Sequence, residues 1–188
     1  STAVLSGFTI TNGNGSSGGG ISCYGYPTLN NLVITNNHSA WDGAGISCES
    51  YSRPLITNTL IYGNSASRGA GVYSILASPI LINVTISNNY DNNINNGPGG
   101  GIYMNLPSGT EPVYISNSII YDNNTTEIYG SDGSFLIEYS LTDEDGEGNI
   151  DLDPLFCDSE DGDYSLAGNS PCVGTGQNGA NMGVYGIG

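Results

Sequence analysis

The sequence predicts an all-β fold, a right-handed parallel β-helix of about five coils followed by a disulfide-stapled, loop-rich C-terminal section. Three periodic signals predict it. First, Gly7-Phe-Thr-Ile-Thr-Asn12, Asn31-Leu-Val-Ile-Thr-Asn36, Asn58-Thr-Leu-Ile-Tyr-Gly63, Asn83-Val-Thr-Ile-Ser-Asn88 and Asn117-Ser-Ile-Ile-Tyr-Asp122 align with one column always isoleucine: Ile10, Ile34, Ile61, Ile86 and Ile120. Second, a Gly-x-Gly-aliphatic signal recurs at Gly18–Ile21, Gly43–Ile46, Gly69–Val72 and Gly99–Ile102. Third, a proline opens each following segment, at Pro27, Pro54, Pro79 and Pro112.

Each unit holds three short period-two stretches and no helix-length apolar stripe, so it must bury its apolar face against neighbouring units. In the first strand, alternation places Phe8, Leu32, Thr59, Val84 and Ser118 inside with the isoleucine column. It points Thr9, Val33, Leu60, Thr85 and Ile119 outward, and of these Val33, Leu60 and Ile119, beside Tyr62 and Tyr121, form an apolar stripe fit to dock a partner or a second copy. In the next strand Ile21, Ile46, Val72 and Ile102 form an interior ladder, followed two residues later by Cys23, Cys48, Ser74 and Met104.

Asparagines form two columns, Asn31/Asn58/Asn83/Asn117 and Asn37/Asn64/Asn89/Asn123. Stacked amides hydrogen-bond along a column, and asparagine tolerates the left-handed backbone of a tight corner. The ladder also accounts for sequons such as Asn83-Val-Thr without a glycan. Two insertions, 89–99 and 105–111, enlarge turns of the fourth coil, and loops of this kind often gather on a binding face. Coils occupy 1–141; residues 142–188 form an acidic capping section continuous with the solenoid.

Against 18 acidic residues stand only Arg53 and Arg68, for a net charge of -16. A phosphate backbone is repelled, which excludes nucleic acid as a partner. No apolar run approaches the roughly 18 residues of a membrane span, so no membrane insertion is expected. Cys157 and Cys172 flank a 14-residue loop, where a bridge is worth about 3 kcal/mol in the chain-entropy model. Cys23 and Cys48 share one interior position of adjacent coils, close enough to bridge or to sit as buried thiols. Disulfides imply a compartment outside the cytosol.

Residues 135–186 carry the most specific pattern: Phe135-Leu-Ile-Glu-Tyr139-Ser140, Gly146-Glu-Gly-Asn-Ile-Asp151-Leu-Asp-Pro-Leu-Phe156, Gly162-Asp-Tyr-Ser-Leu166, Ser170-Pro-Cys172 and Met182-Gly-Val-Tyr-Gly186. This stretch, with Gly99-Gly-Gly-Ile-Tyr103 before it, resembles the bacterial secreted right-handed β-helix repeat proteins of the choice-of-anchor Q and polymorphic-membrane-protein-like type. The resemblance implies an exported or surface-anchored chain, in a family with few assigned activities. With no sorting or anchoring segment after Gly186, the chain reads as a processed or excised piece.

The chemistry-bearing residues form several candidate sets. Asp143, Asp145, Glu147 and Asp151 alternate around glycines as calcium-wrapping oxygens do, and Asp158, Glu160, Asp161 and Asp163 follow Cys157; Ca2+ is the cofactor these runs suggest, against solvated acidic turns. Trp41, Tyr62, Tyr73, Tyr103 and Tyr121 are the candidate partner or glycan face. A polyuronate lyase needs cationic groups at its substrate, and two arginines on a negative surface do not supply them. A hydrolase needs paired carboxylates, whereas Asp42, Glu49, Asp91, Glu111 and Asp122 share no repeat position. His38 has no Ser or Cys partner in a nucleophile motif. The expectation is a non-enzymatic extracellular or cell-surface structural or adhesive module, self-assembling into a filament or meeting surface glycans. A carbohydrate-binding module, lyase or hydrolase is the alternative.

Overall fold

A computed structural model describes residues 3–92, 99–107, 109–131 and 133–188. The chain winds through three parallel sheets. In the first, Val4–Ser6, Thr28–Asn30, Leu55–Tyr62, Ile80–Ser87, Val113–Ser116 and Phe135–Glu138 stack in sequence order, with Thr9–Thr11, Val33–Thr35 and Ile119–Tyr121 continuing it past a corner. The second holds Asn14–Ser17, His38–Asp42, Ser65–Ala66 and Tyr90–Asp91; the third holds Ile21–Tyr24, Ile46–Glu49, Val72–Ile75, Ile102–Asn105 and Ile128–Tyr129. The expected register is observed: Ile10, Ile34, Ile61, Ile86 and Ile120 are successive partners, as are Ile21, Ile46, Val72 and Ile102. Most of the enlarged turn at 89–99 lies outside the described residues.

The corners explain the asparagines. Asn31, Asn58, Asn83 and Asn117 all have φ between 49° and 55°, where most side chains are strained and asparagine is tolerated. The other column is an interior hydrogen-bond chain. The Nδ2 of Asn37 donates to Asn64 Oδ1 (3.0 Å), Asn64 to Asn89 (3.0 Å) and Asn89 to Asn123 (2.9 Å), and the same oxygens accept the backbone N–H of Asn37, Asn64 and Asn89. Asn123 donates to Glu127 Oε2 at 2.6 Å, so a carboxylate ends the chain of amides. Each amide is buried and paired, which removes the desolvation cost of an unmatched polar group. The second glycine of Gly-x-Gly faces this ladder: a Cβ on Gly71 would fall 2.7 Å from Gly101 O and 2.8 Å from Ile86 Cγ2.

The structure departs from the sequence reading in three places. Phe8, expected inside, is 58% exposed, because it lies in the outermost described coil. Of the residues expected to form an outward docking stripe, Leu60 and Ile119 are buried and Val33 is half-buried; Thr85, expected to face outward beside them, is buried too. Ile119 packs with Leu141, Leu166, Cys172 and Met182 of the C-terminal section and the coil before it, Val184 N–H donates to Thr85 Oγ1 at 3.1 Å, and Gly183 N–H donates to Asn117 O at 2.7 Å. Thus the chain itself covers the Ile119 end of the stripe.

The third departure is the staple. All four cysteines are free thiols. Cys172 points into the apolar cluster, where burial pushes its thiol up to about 11, while Cys157 faces solvent. Cys23 and Cys48 are register partners and remain buried thiols, that of Cys48 raised by sharing a hydrogen bond with Cys23 and by burial. What fastens the C-terminal section is apolar packing. Its antiparallel hairpin, Phe156–Asp158 with Asp163–Leu166, drives Tyr164 between Tyr62 and Phe156, both ring centroids 5.0 Å away.

Candidate functional site

The five aromatic residues expected to form one face lie in three places. Trp41 stands on the second sheet, 65% exposed. Tyr73 and Tyr103 lie on the third sheet and stack at 5.2 Å, and Tyr103 stacks in turn on Tyr129 at 5.3 Å. Tyr62 and Tyr121 adjoin the C-terminal section. Tyr129 completes a tyrosine ladder that the Gly-x-Gly signal misses, since Thr125-Thr-Glu127 precedes it; the pair Ile128-Tyr129, matching Ile102-Tyr103, marks it.

The tyrosine ladder is mostly internally satisfied. Tyr73 and Tyr103 are buried, and the Arg68 guanidinium lies 5.5 Å from both ring centroids. Arg68 is also held in a two-pronged pair with Asp42, Nε–Oδ1 2.7 Å and Nη2–Oδ2 3.0 Å, which raises its pKa. These rings stack on one another and on a cation, leaving little ring face for a sugar. Asp42 is occupied by the same pair and is not free to build a site with Trp41.

The C-terminal hairpin roofs a polar cleft of ≈ 520 Å³ against the coil corners, lined by Tyr62, Tyr90, Tyr164, Asn88, Asp122 and Glu160 among others. Asn88 Nδ2 donates to Tyr164 Oη at 2.9 Å, and burial raises the Tyr164 phenol. Its lining is rich in acceptors and includes no Lys, Arg or His.

Neither acidic run gathers into a cation site. Glu147 accepts from Tyr139 Oη at 2.5 Å; Asp163 accepts from Ser165 N at 3.0 Å and Ser165 Oγ at 2.5 Å, which lowers its pKa. Asp158 accepts from Asp161 N at 3.4 Å. Asp143, Asp145 and Asp151 line an open cleft of ≈ 200 Å³. Among the described residues no three His, Cys, Asp or Glu side chains converge to hold a metal ion.

Sequence reasoning passed over one further cleft. It lies where the third sheet turns into the first, lined by Tyr26, Tyr51, Ser52, Arg53 and Leu76 together with Thr110 and Glu111 of the insertion, with a volume of ≈ 230 Å³. The insertion pointed to it; Tyr26 and Tyr51 carried no repeat signal.

The chain matches no protein-family model, no curated protein and no solved structure in comparison with known proteins. Among the described residues no helix is long and apolar enough to cross a membrane.

Proposed function

We propose that this chain is a non-enzymatic module of an extracellular or cell-surface protein, a right-handed β-helical rod that spaces and adheres. The observation carrying it is the continuous interior ladder from Asn37 to Glu127, with one fully paired amide per coil. A solenoid so pinned holds a fixed length and presents its corner turns at fixed spacing. Right-handedness follows the strong preference of parallel crossovers. The resemblance to secreted β-helix repeat proteins supports the compartment, and the net charge of -16 favours neutral or basic partners.

Self-association belongs to the same proposal. Val4–Ser6, Asn14–Ser17 and Ile21–Tyr24 are outer rungs of their sheets, and a sheet edge accepts a further parallel strand, whether another coil or a second copy. Sedimentation velocity with rising protein concentration tests this, end-to-end species being expected and an invariant monomer removing it.

The test of the main reading is retention under flow. Beads coated with the chain should hold to glycan- or cell-coated surfaces and leave the polysaccharides uncut. New reducing ends or unsaturated products would instead make the chain a hydrolase or lyase.

A further inference from the structure

We propose that the cleft between Tyr26 and Tyr51 is a binding site for a single neutral pyranose ring of a glycan; this rests on the adhesive reading and names its partner. Four observations converge. Tyr26 and Tyr51 are 66% and 69% exposed, so their ring faces are free. Arg53, beside them, makes no ion pair with a described residue, whereas the other cation, Arg68, is fully engaged by Asp42. The Oγ of Ser52, a residue only 1% exposed that lines the cleft, has no hydrogen-bond partner among the described residues. The insertion closes the far side with Thr110 and Glu111, anchored by a 2.5 Å hydrogen bond from Ser78 Oγ to Glu111 O.

The backbone shows the same concentration of local effort. Ser50, Tyr51 and Leu76 have φ of 57°, 60° and 51°, a region that bulky side chains rarely adopt and that elsewhere in this chain is mostly left to asparagine and glycine. Such strain persists where the surroundings over-determine it. Here it turns the Tyr51 ring out over the cleft.

The chemistry selects the ligand. Aromatic faces stack on the C–H face of a sugar; Arg53 donates to hydroxyls, Glu111 accepts from them, and the orphan Ser52 hydroxyl takes either role. One charge of each sign suits a polyol rather than an ion. An acidic sugar meets Glu111 and the -16 field, which repel it. At ≈ 230 Å³ the cleft is below the roughly 300–1,000 Å³ typical of drug-sized ligands, a size for one ring with the rest of the glycan in solvent.

The test is a glycan array with the full chain, followed by titration of the best neutral glycan by calorimetry. Tyr51→Asn, Arg53→Gln and Ser52→Ala should each weaken binding about tenfold, while Trp41→Ala leaves it unchanged. Melting temperature separates binding from folding. Tyr51→Asn suits the left-handed backbone and Ser52→Ala removes an unpaired buried hydroxyl, so neither should lower it. Binding should be insensitive to salt. Three results would each overturn the site: no neutral glycan bound by the wild-type chain, equal loss in Trp41→Ala, or affinity confined to acidic glycans. The last two leave retention of wild-type beads under flow untouched, and beads that bind no neutral glycan but still hold to cell-coated surfaces would remove this site while leaving the adhesive reading in place.

Discussion

At the scale of single residues, Glu127 is the most informative side chain. Burial raises its pKa, hydrogen bonds from Asn123 oppose that shift, and Asp143 adds to it. A carboxyl with a raised native pKa stabilises the fold while protonated, and that contribution is lost as pH rises through the raised value. Glu127→Gln keeps an acceptor for Asn123 and removes the charge. Its urea midpoint should exceed the wild-type midpoint at pH 8 and converge with it as pH falls toward 4. In the middle of the same ladder, Asn64→Ala strands the N–H of Asn37, takes one of the two acceptors from its Nδ2, and removes a donor from the carbonyls of Ile34 and Tyr62. At roughly 1–3 kcal/mol for each unmatched buried group, the loss should be at least about 3 kcal/mol, read from denaturant melts. Asn58→Gly, at a corner with φ 49°, should cost little. For the thiols, a thiol-specific titration of the native chain should label Cys157 alone and reach Cys23, Cys48 and Cys172 only on unfolding, since those three are buried.

Among elements, the C-terminal section matters most, because it rests on side chains from several coils. Met182→Ala opens a cavity against Ile119, Leu141 and Leu166, and a cost of about 2–5 kcal/mol is expected. Limited proteolysis should then cut within 167–188 before the coils, and a hydrophobic dye should bind where Leu60 and Ile119 emerge. These residues also show what the sequence makes legible. Period-two alternation assigns Ile34, Ile61 and Ile86 to the interior because every coil repeats the same environment. It assigns Leu60 and Ile119 to the outside for the same reason, and there it fails; for Ile119 a non-repeating segment far along the chain supplies the cover. The tyrosine ladder was visible at Tyr73 and Tyr103, and Asn37, Asn64 and Asn89 announced their column. Tyr26 and Arg53 precede Pro27 and Pro54 and so share a repeat position, but the residue type changes from coil to coil there and Tyr51 lies in the preceding turn, so no column of like residues marks the cleft.

For the whole molecule, a net charge of -16 on 188 residues means self-repulsion in the compact state. Raising sodium chloride from about 10 mM to 150 mM shortens the screening length from roughly 30 Å to 8 Å, and the melting temperature should rise with it. With no cluster of three metal-ligating side chains among the described residues, EDTA should leave the melting temperature unchanged in a calorimetric scan. A solenoid whose coils touch only their neighbours unfolds from its ends, one repeat at a time. Here Tyr164 grips Tyr62 and Asn88, Val184 grips Thr85, and Gln177 N–H donates to Asn117 Oδ1 at 2.7 Å. Rungs separated by two turns are thereby tied to one strap, so the last coil cannot peel away without releasing those beneath it. Fraying from that end becomes a single cooperative event, and a rod that would otherwise lose length gradually under load instead holds its full extent until it gives way at once.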